Sequence, residues 1–158
     1  MDNKQLIIDY CEYSSVEDLP EADRQLMGAA IAAADSAYAP YSHFHVGAAL
    51  RLIDGTIVKG SNQENIAYPS GLCAERTALF SASSHHPDVA VESIAIVGRD
   101  EEGNLVEASP CGACRQVMAE NELRYGCEMS IFCYLSGGRI RRISGVSSLL
   151  PFGFEAEL

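Results

Sequence analysis

With 158 residues and 47% hydrophobic content, the chain is long enough for one domain with a substantial core and is neither disordered nor disulfide-dense. Eleven Lys and Arg against 22 Asp and Glu leave a formal charge of −11. That charge argues against a nucleic-acid partner, because such proteins draw most of their affinity from neutralised phosphates and need a basic face. No apolar run is long enough to cross a bilayer, and Met1-Asp2-Asn3-Lys4-Gln5 lacks the basic region and long apolar stretch of a secretory signal, so the expected setting for the six cysteines is reducing and cytoplasmic.

In chain order, residues 1–19 read as an N-terminal extension with a short apolar run, Leu6-Ile7-Ile8, and no legible function. Pro20 opens a helix to about Ala37: Pro suits a first turn, Glu21 and Asp23 suit the N-terminal dipole, and Leu26, Ala29, Ala30, Ala33 and Ala37 form one apolar stripe. Tyr38 to Phe44 is a loop, since Pro40 disfavours helix before it. A strand follows over His45 to Ile53, with Val46, Ala48, Leu50 and Leu52 on one face, and Asp54-Gly55 turns it into an antiparallel strand over Thr56 to Ser61. The polar cluster Asn62-Gln63-Glu64-Asn65 comes next, suited to binding substrate hydroxyls.

A helix over Cys73 to Ala82 leads through a turn at His85-His86-Pro87-Asp88 to Ser93–Gly98, whose continuous apolar character predicts a strand buried on both faces. After a polar turn at Asp100 to Asn104, Ser109-Pro110 opens a helix over Cys111 to Glu122. Two strands, Glu128 to Leu135 and Arg139 to Ser144, are joined at Ser136-Gly137-Gly138, and Val146 to Leu150 makes one helical turn. This order predicts one α/β domain over residues 1–158, a single sheet with helices on its faces. Arg139 and Arg141 alternate along a strand and read as a solvated face or a subunit contact; Cys11, Cys127 and Cys133 read as ordinary thiols.

The chemistry concentrates in Cys73-Ala74-Glu75-Arg76 and Pro110-Cys111-Gly112-Ala113-Cys114. A thiol at a helix N-terminus faces unpaired N–H groups and the positive end of the dipole, which favours the thiolate that zinc binds. Cys111 and Cys114 can reach one ion from a first helical turn, and Cys73 from the neighbouring helix makes a third ligand. Three ligands leave a catalytic zinc site one open position, and Glu75 is placed beside it as a general acid/base for water. The paired histidines sit at the far end of the helix from Cys73 and are not expected to ligate.

These residues match the pattern of zinc deaminases, and the chain from about residue 22 onward resembles the small homotetrameric cytidine deaminases. The resemblance rests on Tyr41-Ser42-His43-Phe44 with Val46-Gly47-Ala48-Ala49-Leu50, Asn62-x-Glu64-Asn65 with Tyr68-Pro69, Cys73-Ala74-Glu75-Arg76-Thr77-Ala78 and Pro110-Cys111-Gly112-Ala113-Cys114-Arg115-Gln116. It implies a three-layer α/β/α fold with one mixed five-stranded sheet and helices on both faces. It also implies one Zn²⁺ per subunit on Cys73, Cys111 and Cys114, and Glu75 as proton shuttle. Asn62 and Glu64 would bind the ribose hydroxyls and Phe44 would help form the base pocket. The backbone of Ala74 and the carbonyl of Ser109 would meet the pyrimidine's polar edges, and Arg76 would hydrogen-bond the ligand sulfurs. Tyr68 and Phe154, with Phe152 as fallback, would complete a neighbouring subunit's pocket. His45 where the family commonly has proline, Gln63 where an apolar residue is usual, and a tail without Gly-Pro after Phe154 depart from the pattern.

The activity so implied is hydrolysis of cytidine and deoxycytidine to uridine and deoxyuridine with release of ammonia, in pyrimidine salvage. A small nucleoside is the expected partner, with no nucleic acid and no membrane. The alternatives are a deaminase of a modified cytosine nucleoside such as blasticidin S, a structural zinc clip with a fourth protein ligand, and a thiol redox module built on Cys-x-x-Cys. The last leaves Cys73 and Glu75 unexplained.

Overall fold

The structure, a computed structural model, describes residues 1–154. Its first strand, β1 (Tyr10–Tyr13), lies inside the N-terminal extension, where no element was expected from the sequence. The helix opened by Pro20 is α1 (Glu21–Ala33); it tightens into a 3-10 turn at Ala34–Ser36, so Ala37 falls outside it. Leu26, Met27, Ala30 and Ala33 are its buried face. The hairpin expected at Asp54-Gly55 joins β2 (His45–Leu52) to β3 (Ile57–Ser61), with Gly55 at φ 86. There follow α2 (Ala74–His85), β4 (Val91–Arg99), β5 (Leu105–Val106), α3 (Gly112–Tyr125), β6 (Ser130–Tyr134) and β7 (Ile140–Ser144).

These strands make one mixed sheet in the order β1-β7-β6-β4-β2-β3, with β5 pairing β4. β4 and β6 run parallel and the other pairs are antiparallel. The expected five strands are thus seven, and the two additions have identifiable causes. β1 pairs with β7 and is fixed by charge: Arg139 Nη1 and Arg141 Nη2 each lie 2.8 Å from a carboxylate oxygen of Glu12, and the Arg141 guanidinium stacks 5.1 Å from the Tyr10 ring. β5 is a two-residue pairing, too short for any period to show, that continues alongside β4 beyond the end of β6. Arg139 and Arg141 therefore serve the sheet edge.

Alternation along the strands divides the core into two layers. Ala48, Leu50, Leu52, Ile94, Ile96 and Ile131 face α2 and α3, meeting Ala74, Ala78, Leu79, Cys114 and Met118. Ala49, Ala95, Val97 and Phe132 face α1 through Leu26, Met27 and Ala30. Helices cover both faces, as the three-layer expectation requires. Two glycines set how closely they approach. A Cβ on Gly47 would lie 2.0 Å from the Ala30 carbonyl oxygen of α1, and one on Gly60 would lie 2.4 Å from Ala78 N and 2.5 Å from the Ala74 carbonyl oxygen of α2. The contact at Gly60 holds the first turn of α2, and hence the residues around Cys73, at a fixed height over the sheet.

Candidate functional site

Cys73 and Cys111 are the N-cap residues of α2 and α3, with extended backbone (ψ 156 and 167), and Cys114 lies in the first turn of α3. Neither N-cap thiol satisfies an N–H of its own helix, so both are left for another partner. The three sulfurs lie within 4.8 Å of one another: Cys73 Sγ to Cys111 Sγ is 3.8 Å and Cys111 Sγ to Cys114 Sγ is 3.5 Å. A tetrahedral zinc with Zn–S bonds of about 2.3 Å spaces its sulfurs about 3.8 Å apart, so this donor set fits the ion. A Cys-x-x-Cys redox pair would need only Cys111 and Cys114, so the third sulfur of Cys73 in the same cluster and the buried carboxyl of Glu75 speak for the metal site.

Charge around the sulfurs is arranged for thiolate. The Cys73 thiol is lowered to about 5, chiefly because Cys114 donates its S–H to it, with Arg76 assisting; Cys114 is pushed up as the proton holder of that pair. Arg76 Nη2 donates to Cys73 Sγ at 3.8 Å, and its own Nε is buried without a partner among the described residues. Glu75, the second residue of α2, is 4% exposed. Burial pushes its carboxyl up to about 7, and the negative charge of Cys73 adds to the effect. A carboxyl near neutrality can both accept and release a proton at physiological pH.

Above the sulfurs lies a cavity of about 370 Å³ lined by Phe44, Val46, Asn62, Glu64, Cys73, Ala74, Glu75, Ala108, Ser109 and Cys111, together with Ser42 and Glu107. A second, of about 470 Å³, shares Ser42, Asn62, Glu64 and Cys73 with it and extends past Tyr41 and Tyr68 to Arg76. The fold thus brings together every expected site residue except Phe154. That residue is 83% exposed; its carbonyl accepts from Gln116 Nε2 at 2.9 Å, beside a separate groove lined by Leu123 and Leu150. Phe152 is likewise outside the cavity lining and 99% exposed. Tyr68 is 78% exposed and meets Tyr41 edge to face, ring centroids 6.3 Å apart.

Asn62 and Glu64 are already engaged with backbone. Asn62 Oδ1 accepts from Val46 N at 2.7 Å, and its Nδ2 donates to the Phe44 carbonyl at 2.9 Å. Glu64 Oε2 accepts from Tyr41 N at 2.9 Å and Ser42 N at 3.3 Å, and its carboxyl is held below the usual range chiefly by the Ser42 side chain and then by the Tyr41 N–H. Together they pin the loop in which His43 adopts φ 55, a left-handed conformation that costs a non-glycine residue on the order of 1 kcal/mol or more. One oxygen of Glu64 and the second N–H of Asn62 stay available to a ligand. The sequence reading did not single out Glu107 as a site residue; a lone glutamate between short apolar residues carries no periodic or motif signal.

The family profile described as cytidine and deoxycytidylate deaminase zinc-binding region matches residues 20–125. A cytidine deaminase of Halalkalibacterium halodurans is 46% identical over 138 residues, covering 85% of this chain and 96% of that protein. The chain belongs to the cytidine deaminase family. The crystal structure of cytidine deaminase from Burkholderia pseudomallei superposes with a TM-score of 0.71 at 42% identity, covering 82% of this chain and 97% of that one. That from Mycobacterium tuberculosis gives 0.66 at 34% identity, covering 84% and 96%. Membership makes the chain an enzyme of this class with zinc as its cofactor, in agreement with the sulfur cluster. No described helix is long and apolar enough to cross a membrane.

Proposed function

We propose that this chain hydrolyses cytidine and deoxycytidine to uridine and deoxyuridine, releasing ammonia, in cytoplasmic pyrimidine salvage and as a homotetramer. The observation that carries the reading is the pairing of three sulfurs within 4.8 Å with the buried carboxyl of Glu75 on one cavity wall. Cys73, Cys111 and Cys114 hold the zinc. Bound there, zinc is a Lewis acid that makes water acidic enough to attack at neutral pH.

The remaining work belongs to side chains. Glu75 accepts one proton of the attacking water and passes it to cytosine N3, so that C4 becomes electrophilic; once the oxygen has added to C4, Glu75 takes its remaining proton and gives it to the amino group, which leaves as ammonia as the C4 carbonyl forms. Its raised pKa suits it to each of these transfers. Three thiolates on one divalent cation leave a net negative charge, and Arg76 with the two helix N-termini offsets it by drawing electron density from the sulfurs. Phe44 forms a wall for the base, the Ala74 backbone and Ser109 carbonyl meet its polar edges, and the free oxygen of Glu64 and free N–H of Asn62 take the ribose hydroxyls. Tyr68 and Phe154, too exposed to be core, complete the pockets of adjoining subunits.

The test is an assay of the purified protein with cytidine, deoxycytidine, cytosine and a blasticidin-type nucleoside, following ammonia release together with zinc content and molecular mass in solution. Turnover of the two nucleosides by a zinc-loaded tetramer is expected. Turnover confined to the blasticidin-type compound would move the substrate to that class. A monomeric active enzyme would remove the roles given to Tyr68 and Phe154.

A further inference from the structure

One residue on the cavity wall has no part in that scheme. Glu107 follows directly on Val106 of β5, whose side chain packs beside the Phe44 ring over Gly98: a Cβ placed on Gly98 would meet Phe44 at 2.8 Å and Val106 at 3.0 Å. The chain then runs through Ala108 and Ser109 to Cys111, so Glu107 stands on the segment that forms the wall between the aromatic ring and the sulfurs. Its carboxylate is exposed and held from one side only. Ser136 donates to Oε2 through its N–H at 3.4 Å and its hydroxyl at 3.3 Å, from the turn between β6 and β7.

The cavity's lining contains no Lys, Arg or His, and Arg76 on the adjoining cavity is engaged with Cys73, while Glu64 contributes a second carboxylate and Glu75 a carboxyl. A cavity of 370 Å³ is about 9 Å across if taken as a sphere, comparable to the Debye length of about 8 Å at physiological salt. Any charged substituent on a molecule seated there is therefore within the field of Glu107, whichever way it points, and no direct contact is needed. The profile that matches this chain spans proteins acting on both nucleosides and nucleotides, so the sign of charge admitted is a property each member must set for itself.

Resting on the proposed cytosine-nucleoside reading, we propose that Glu107 is a charge-selecting residue of this cavity, acting against nucleosides that carry a 5′-phosphate and in favour of nucleosides that carry a 5′-ammonium group. Ser136 positions it by anchoring one oxygen.

The experiment measures equilibrium binding to the zinc-loaded protein of three product analogues differing only at the 5′ position: uridine, uridine 5′-monophosphate and 5′-amino-5′-deoxyuridine. Parent, Glu107→Gln and Glu107→Lys are compared, each ligand expressed as a ratio to uridine in the same protein. For Glu107→Gln the phosphate ratio should improve roughly three- to tenfold and the ammonium ratio worsen roughly twofold, the opposite signs and unequal sizes following from two charges against one. Glu107→Lys should move both ratios further in the same directions, and about 1 M salt should erase the differences. A phosphate ratio that stays within about twofold of the parent in both variants, or ratios that move with the same sign for both ligands, would overturn the proposal while leaving cytidine turnover standing. Failure of the parent to bind uridine and to turn over cytidine would overturn the underlying reading, and this assignment with it.

Discussion

Replacing Asn62 with alanine removes two hydrogen bonds of unequal consequence. The Val46 N–H, part-buried at the start of β2, loses its acceptor at 2.7 Å; the more exposed Phe44 carbonyl loses its donor at 2.9 Å and is re-solvated by water. A part-buried donor left unpaired costs about 1–3 kcal/mol, and a re-solvated acceptor costs about 0.5–1 kcal/mol, so the variant should be less stable by about 1.5–4 kcal/mol. For a chain of this size that lowers the melting temperature by roughly 3–15 °C. The loss should leave zinc content intact, since Asn62 touches none of the three cysteines. Thermal unfolding followed by circular dichroism, at fixed protein and zinc concentrations, measures the first, and metal analysis measures the second. KM for cytidine should also rise, because the freed loop carries Phe44. A melting temperature within about 1 °C of the parent, with KM raised, would refute the bracing role and leave Asn62 as a ligand contact alone.

Glu75→Gln should retain fold and zinc while kcat for cytidine falls by about 10²–10⁴, the contribution typical of a positioned acid/base; kinetic assay with metal analysis checks it, and near-normal turnover would remove the assignment. Gly60→Ala forces a Cβ against backbone atoms of α2 at 2.4 and 2.5 Å, where nothing flexible can yield, so stability should fall by about 1–3 kcal/mol and zinc affinity should fall with it. Unchanged values in a denaturant titration and a zinc competition assay would show that α2 is not held by this contact. Glu122 accepts from Met129 N at 2.9 Å and Val146 N at 3.1 Å, but burial outweighs those bonds and raises its carboxyl above the ordinary 4.5. A folded value above the unfolded one gives stability that is complete below about pH 4.5 and is lost as pH rises through the raised value. Relative to Glu122→Gln, the parent should therefore lose stability between acid and neutral pH, and a difference in melting temperature that is flat over that window would contradict it.

Much of the site was legible because its chemistry is local. Two cysteines three positions apart at a helix start, a third beside a glutamate at another helix start, and a polar run just before it are visible without any knowledge of the fold. The Asp54-Gly55 hairpin and the doubly buried β4 were readable for the same reason, since turn chemistry and an unbroken apolar run are properties of neighbouring residues. What stayed hidden was held by distant partners. β1 forms because Glu12 meets Arg139 and Arg141, far along the chain, and its own four residues show no distinctive alternation. α3 runs past the expected Glu122 to Tyr125 and stops where Gly126 takes φ 59, a left-handed end that the glycine permits. Asn62 and Glu64 look like ligand contacts in sequence, and their second task of pinning the Tyr41–Phe44 loop follows only from where that loop lands. The inferred selectivity of Glu107 depends likewise on tertiary placement, through a wall shared with Phe44 and Ser109.

The central claim is that three sulfurs hold zinc and leave one position for chemistry beside Glu75. X-ray absorption at the zinc edge of the purified enzyme tests it most directly. Three sulfur neighbours at about 2.3 Å and one lighter neighbour are expected, with that pattern retained in Glu75→Gln. Four protein ligands around the ion, or a light neighbour lost when Glu75 becomes Gln, would contradict the account, the first by closing the site and the second by making Glu75 a ligand.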